Sequence, residues 1–490
     1  MKHTSRSSLF RRNLLIVSAL ALLGACTVGS DYTGPQQVLP ATTAGASPGF
    51  ARADTDFRTD APQMADWWQS LNDPVLDRIE QQALSGSPDL AAARARFDQA
   101  RSTLRLERAN SAPSVSASAV YAHLRTPDTG GQNNSSSSNN SSNFYNLGLT
   151  ASWEIDLFGG QHRKVEAAGA RLEAADASVA DARVSLTSAV AQTYIRFRES
   201  QQGIVLARQA IRQSEALLDF EEQRFSQGVT TRADVDRSRS DLEQARQLLP
   251  PLKAQADVYA NALAILAGQT PGALDQLLAD MAPVPLPPAD IAVGDPQALL
   301  QRRPDIRVAE RKLKAQTAEI GVAEAARFPS LNLFGIIGIG GAKSSDLTHL
   351  DDFTAISAPM LQWNFLDFGR AKAQVNEERA RRDEAEAQYK STVLGALRDV
   401  EDAMGNFRAA RENTASLARA EASAARIATV QQERYSQGVA SMPEQLTAEL
   451  DHTMAMQALV EGKAELTGNF VLLQKALGLG WSDAPSVKKE

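Results

Sequence analysis

The chain of 490 residues carries a net charge of −7 and a single cysteine. Its acidic balance leaves no basic footprint for nucleic acid, and one cysteine excludes an internal disulfide or a cysteine metal centre. No run of 18 apolar residues follows the first thirty positions, so any membrane crossing has to be made by strands rather than helices.

Lys2, Arg6, Arg11 and Arg12, followed by an apolar run from Leu14 to Leu23, read as an export signal over residues 1–25. The run ends in Leu23-Gly24-Ala25-Cys26, which resembles the bacterial lipoprotein cleavage box. That resemblance implies a lipidated Cys26 as the first mature residue, and Thr27 behind it implies sorting to the outer membrane. Residues 26–65 are rich in Gly, Pro, Thr and Ala, have too few large apolar side chains for a core, and are expected to form a tether. Asp73-Pro74 then predicts a capped helix start, with Trp67 and Trp68 as packing anchors. A second helix is predicted from Pro88 to about Ala109.

From Ser114 to Leu124 the pattern alternates, with Val115, Ala117, Ala119 and Tyr121 on one side. Its partner strand carries Tyr145, Leu147, Leu149, Ala151, Trp153 and Ile155, beyond a Ser/Asn loop at 126–143 that is expected outside the cell. Two more strands follow later, with Leu331, Leu333, Gly335, Ile337 and Ile339, and then Phe353, Ala355, Ser357, Leu361 and Trp363. Four strands cannot close on themselves, and lipid does not tolerate an open edge. Two copies would give an eight-stranded barrel filled by side chains, whereas three give twelve strands around a lumen; three is the expectation.

Residues 161–227 and 371–437 contain no proline, and at 1.5 Å per residue each would make a helix of about 100 Å. Val165, Leu172, Val179 and Leu186 recur every seven residues, flanked by Ala168, Ala175, Ala182 and Ala189, and predict a close-packed heptad seam. Each long helix closes on a glycine, in Arg224-Phe225-Ser226-Gln227-Gly228-Val229 and again in Arg434-Tyr435-Ser436-Gln437-Gly438-Val439, 210 residues later. Return helices begin at Thr231 and Ser441 and end near Gly268 and Gly478, the first expected to break at Pro250-Pro251. Upstream the offset is 216, which pairs Pro88-Asp89 with Pro304-Asp305 and Pro113-Ser114 with Pro329-Ser330. One duplicated unit therefore spans 66–280 and 297–480, joined by a Pro-rich linker at 281–296 and followed by a flexible tail at 481–490.

The Cys26 box, Trp67-Trp68 with Asp73-Pro74, Trp153 to Gly159, Arg302-Arg303-Pro304-Asp305-Ile306, Phe328-Pro329-Ser330-Leu331 and the two Gln-Gly-Val tips together resemble the TolC family of outer-membrane efflux ducts, in its lipidated NodT-type branch. The resemblance implies an α+β membrane protein: a homotrimer with a twelve-stranded outer-membrane β-barrel continued by a long periplasmic α-helical barrel. It also implies a periplasmic adaptor, an inner-membrane pump of the resistance-nodulation-division type, and passive conduction of small molecules. A type I protein secretion channel and a poreless structural lipoprotein with a helical stalk are the rival readings. The five histidines show no ligand spacing, and no nucleophile motif or phosphate loop occurs, so no enzyme activity, metal or cofactor is expected. By the same resemblance the gate falls on Glu444, Asp234, Tyr435 and Thr447, Tyr435 being matched with Asp234 as a tie between the tips. The adaptor contacts fall on Gly228, Val229, Thr230, Thr231, Gly438, Val439, Ala440 and Ser441. Thr231 to Asp234 and Ser441 to Glu444 read equally as helix capping boxes, so gating and capping both stand for the two acids. Ala440 replaces an arginine found there in TolC itself, and Thr447 stands where many relatives have a second aspartate.

Overall fold

The computed structural model describes residues 27–38, 49–52, 57–62, 65–125, 141–348, 351 and 353–482. Cys26, most of the Ser/Asn loop and the tail beyond residue 482 lie outside the described residues. In chain order the elements are β1 (Phe57–Arg58), a short 3-10 helix (Trp67–Leu71), α1 (Pro74–Gly86), α2 (Pro88–Asn110), β2 (Ser114–Arg125) and β3 (Ser141–Ile155). Then come α3 (Gly160–Ser226), α4 (Arg232–Leu266), α5 (Asp275–Leu278), β4 (Ile291–Ala292), α6 (Pro296–Arg302) and α7 (Pro304–Ala325). The chain finishes with β5 (Ser330–Gly341), a second 3-10 helix (Ser344–Thr348), β6 (Phe353–Gln362), α8 (Arg370–Ser436) and α9 (Met442–Ala476). Among the described residues no helix is long and apolar enough to cross a membrane.

Local chemistry sets the helix starts. Proline opens α1, α2, α6 and α7, where its missing N–H costs nothing and its fixed φ suits the first turn. Asp73 caps α1 by accepting from the Val75 and Leu76 amides at 2.9 and 3.2 Å.

The chain divides into two compact units. The first, Met1–Gln36 with Asp98–Ala174 and Ala309–Tyr389, holds an antiparallel four-stranded sheet in the order β2-β3-β5-β6. Tyr121 faces Tyr145 across β2 and β3, Trp153 faces Leu333 across β3 and β5, and Leu333 faces Pro359 across β5 and β6. Among the described residues the outer edges of β2 and β6 therefore carry no strand partner. Ion pairs such as Arg171–Glu319 (2.6 Å), Lys314–Glu173 (3.1 Å) and Arg379–Glu324 (2.9 Å) tie the helices of this unit; being exposed, each contributes about 0–1 kcal/mol. The start of the arm is strapped down. The Val28 amide donates to the Phe158 carbonyl at 3.0 Å, and buried Arg163 donates to the Gly29 carbonyl at 3.1 Å and to Asp31 at 2.7 Å. A side chain at Gly29, which sits at φ 97°, would lie 2.7 Å from Gly321 Cα, so this crossing requires glycine at 29, whereas a side chain at Gly321 would meet that of Arg163 at 2.8 Å.

The second unit, Gln37–Phe97 with Ala175–Val308 and Lys390–Glu490, holds the main apolar core. Trp67 meets Trp68 and Phe470 edge-on, both at 6.0 Å, and both tryptophans are buried anchors. Full burial of such side chains stabilises by roughly 1.5–3 kcal/mol each. At the centre, buried Arg198 donates to the Tyr194 hydroxyl (2.8 Å), the Gln201 amide oxygen (2.7 Å) and the Asp280 carbonyl (2.6 Å). Tyr194 in turn donates to the second oxygen of Asp73 at 2.7 Å, so one polar chain joins α3 to the cap of α1.

Three expectations change. The 26–65 segment is not simply a tether: Phe50 and Phe57 are buried in the core, the Ala51 and Arg52 amides donate to Glu401 at 2.6 and 2.9 Å, and β1 pairs in parallel with β4. Few apolar residues cannot build a core, but two can enter an existing one. α4 runs unbroken through Pro250 and Pro251. The carbonyls that the prolines deprive of donors, on Arg246 and Gln247, belong to exposed residues, where water can replace the missing bonds. On α3 Ala167, Ala170, Ala174 and Ala177 form a buried line, while of the expected seam Ala168 and Leu186 are buried and Val165, Leu172 and Val179 are only half-buried. The smallest side chains admit the closest helix approach, so within one chain they take the contact.

Candidate functional site

The two hairpin tips are built alike. At the first, Gly228 adopts φ 72°, and the Gly228 and Val229 amides donate to the Phe225 and Arg224 carbonyls at 2.9 Å. At the second, Gly438 adopts φ 74°, and the Gly438 and Val439 amides donate to the Tyr435 and Arg434 carbonyls at 2.9 Å. This paired closure satisfies orphan carbonyls at a helix end and requires a left-handed residue, which only glycine adopts freely. Space beside both glycines is open, and Val229 and Val439 are each 62% exposed. Each tip thus presents an uncovered apolar knob next to a side-chain-free notch.

The next helices begin with reciprocal caps. The Asp234 amide donates to the Thr231 hydroxyl (3.3 Å), while Asp234 Oδ2 accepts from the Thr231 amide (3.1 Å), its hydroxyl (2.6 Å) and the Thr230 hydroxyl (3.0 Å). At the second tip the Glu444 amide donates to the Ser441 hydroxyl (3.4 Å), and Glu444 Oε2 accepts from the Ser441 amide (2.7 Å) and hydroxyl (2.9 Å). Hydrogen bonds to the ionised form hold both acids below their ordinary pKa values, chiefly from the Thr231 hydroxyl for Asp234 and from the Ser441 amide for Glu444. Both capping boxes are present.

The hydrogen bond expected from Tyr435 to Asp234 is not formed within the chain: the bonds that Asp234 Oδ2 accepts come from its own turn. Tyr435 is 41% exposed, and its counterpart Phe225 is 44% exposed. Glu444 and Thr447 are both exposed on α9. Asp451, which the sequence reading passed over, is exposed one heptad beyond Glu444, so it shares that face; the spacing of seven was the available signal. Further along, Thr453 accepts from Gln209 at 3.2 Å and donates to Gln213 at 3.0 Å, joining α9 to α3.

The sheet is the second candidate surface. Odd-numbered residues share one face, with Val115, Tyr121, Leu147, Leu149, Trp153 and Ile337 all exposed. Tyr121 and Tyr145 stack obliquely at 4.9 Å near the hairpin turn. Near the helix end Trp153 and Trp363 each donate an indole N–H to a carbonyl, of Ser111 at 3.0 Å and of Arg327 at 3.1 Å. Along β3 the eight steps from Tyr145 to Trp153 span about 27 Å, close to the apolar band of about 25 Å between aromatic girdles in outer-membrane barrels.

The profile described as outer membrane efflux protein matches residues 79–269 and 296–479. The chain belongs to the outer membrane efflux protein family. Among characterised members it is similar to nodulation protein T of Rhizobium leguminosarum bv. trifolii, at 28% identity over 94% of this chain and 96% of that protein. It is also similar to the outer membrane protein OprJ of Pseudomonas aeruginosa, at 29% identity over 96% of this chain and 97% of that one. Of solved structures, the outer-membrane channel OprN superposes with a TM-score of 0.82 at 30% identity, covering 93% of this chain and 100% of that one. The exposed sheet and paired tips are thus those of an outer-membrane efflux protein, and its two matched segments are the two halves of the duplication.

Proposed function

We propose that the protein is the trimeric exit duct of a tripartite efflux pump, passively conducting small molecules from the periplasm through the outer membrane. The observation that carries this reading is the four-stranded sheet, exposed over much of β2, β3 and β6 and unpaired at both edges among the described residues, leading into two helices of 67 residues each. An unpaired edge in lipid costs several kcal/mol per unsatisfied group, and three copies remove every edge by forming twelve strands around a lumen. The half-buried heptad residues of α3 then find their remaining cover on neighbouring helices.

In this reading the tips face the periplasm. Gly228, Val229, Thr230 and Thr231, with Gly438, Val439, Ala440 and Ser441, receive the adaptor. An inner-membrane pump of the resistance-nodulation-division type supplies the driving force, and the duct performs no catalysis. Glu444, with Thr447 and Asp234 nearby, lines the resting gate, and Tyr435 serves as a closing tie toward a neighbouring subunit. Cys26 carries the lipid. The similarity to the toluene efflux pump outer membrane protein TtgC of Pseudomonas putida, at 29% identity over 96% of this chain, fits small molecules better than protein substrates. Purified protein in planar bilayers tests the duct: discrete conductance from a trimer is expected, and a non-conducting monomer would leave the poreless lipoprotein reading. Complementation of a drug-sensitive efflux mutant, set against rescue of a protein secretion mutant, separates the two kinds of cargo.

A further inference from the structure

The two halves of the sheet repeat one another down to their register. Ser114 faces Ser152 in the first hairpin, and Ser330 faces Gln362 in the second; offsets of 216 and 210 residues carry the one pair onto the other. The indole bonds obey the same offsets, since Trp153 with Ser111 maps onto Trp363 with Arg327. Within the chain the halves meet once, where β3 lies against β5 with Trp153 opposite Leu333, Ala151 opposite Gly335 and Gly148 opposite Gly338. Applying that relation onward, from the second half of one copy to the first half of the next, sets β6 against β2.

We propose that β6 of each subunit pairs antiparallel with β2 of the partner subunit in one register. Trp363 lies opposite Ala117 of the partner subunit, Leu361 opposite Ala119 of the partner subunit, and Ala358 opposite Ala122 of the partner subunit. The proposal rests on the trimeric duct and gives its seam residue by residue. Parity supports it independently, because odd positions meet odd positions and the apolar face continues across the seam; a slip of one residue would turn every side chain to the wrong face. The junction below the sheet fits as well. Phe158 stacks on Phe328 at 4.7 Å within the chain, whereas its counterpart Phe368 is 86% exposed and sits at φ 53°, an uncommon backbone for a bulky residue. The same offsets bring Phe368 against Ala112 of the partner subunit, where a small side chain leaves room for the ring.

Directly opposed residues have Cα atoms about 4.5–5.5 Å apart, inside the range of about 4.4–6.8 Å that a disulfide accepts, while diagonal neighbours at about 7–8 Å fall outside it. Full-length protein carrying Ala122→Cys with Ala358→Cys should therefore oxidise in outer membranes to a covalent trimer. Ala119→Cys with Leu361→Cys should do the same, as a second pair should either position disturb assembly. Val120→Cys or Leu124→Cys combined with Ala358→Cys should link at least several-fold less, and single-cysteine variants report any link through Cys26. A shifted pair that links as well, or a trimer in which neither matched pair links, overturns the register and leaves the duct standing. A protein that migrates as a monomer on native gels and links through no pair overturns both.

Discussion

Glu444 holds the start of a helix, and in the proposed gate the same side chain faces the lumen. Its Oε2 is held by the Ser441 amide and hydroxyl, and those bonds keep its pKa below the ordinary glutamate value. The sign follows: the capping contribution is present above the unfolded pKa and is lost as pH falls through the depressed folded one. A ring of three such charges should make the resting duct cation-selective, since two unit charges about 6 Å apart in water already repel by roughly 0.7 kcal/mol and a bound cation relieves that cost. Glu444→Gln should reduce cation selectivity and multivalent block in bilayer recordings, while Ser441→Ala should move the acid limb of selectivity to higher pH. Selectivity unchanged in both variants would leave Glu444 as a capping residue alone. This cap was readable from residue types three apart. Glu80 was not, because burial is a product of tertiary packing. Its side chain is wholly buried, both oxygens lack a partner among the described residues, and desolvation, with Asp77 and Asp66 nearby, raises its pKa well above normal. A raised carboxyl favours the fold below its unfolded pKa, and that contribution is lost as pH rises through the folded one. Glu80→Leu should therefore raise the melting midpoint, more at mildly alkaline than at mildly acidic pH, with a gain of about 1–3 kcal/mol. A midpoint difference that does not change with pH would mean the carboxyl is partnered after all.

At the scale of elements, the ends of the helices were legible and their interiors less so. Glycine followed by Thr231 or Ser441 specifies a left-handed closure and a new cap, chemistry confined to a few neighbouring residues. Whether a helix survives internal prolines depends on what replaces the lost bonds, and that is set by exposure, which one strand of sequence does not carry. α4 continues through Pro250 and Pro251 on an exposed face, whereas the equivalent turn of α9 has Val460 and Glu461. Each internal proline costs about 3 kcal/mol, reduced here by hydration of the freed carbonyls. Replacing both with alanine should raise thermal stability measurably, by up to about 3 kcal/mol per site. A lowered midpoint would show that the prolines themselves are needed for packing. The heptad seam is met only in part for a related reason: period seven identifies two neighbouring lines on a helix, and the burial of Ala167, Ala170, Ala174 and Ala177 ahead of Val165, Leu172 and Val179 depends on how closely the adjoining helices approach.

For the whole molecule, the proposed duct is anchored by strands and by a lipid on Cys26, and the two can be separated. The strands, their faces and the tandem repeat were legible because period-two alternation and a fixed offset survive in the residues themselves, but the pairing of β3 with β5 that merges two hairpins into one sheet joins segments far apart in the chain. A closed barrel of twelve strands spans the bilayer, whereas a single acyl chain gives only marginal, reversible binding, at about 0.8 kcal/mol per buried methylene. The arm behind Cys26 is independently fixed, through Val28 to Phe158 and through Arg163 to Gly29 and Asp31, so it should stay in place without its lipid. Cys26→Ser should accordingly abolish palmitate labelling while the trimer still sediments with the outer membrane and still conducts in bilayers. Equal labelling of the variant would move the modification away from Cys26. If the unlipidated chain instead appeared in the soluble periplasmic fraction, the lipid would be the sole anchor, and the sheet would have to find its edge partners in water, as in a stalk without a pore.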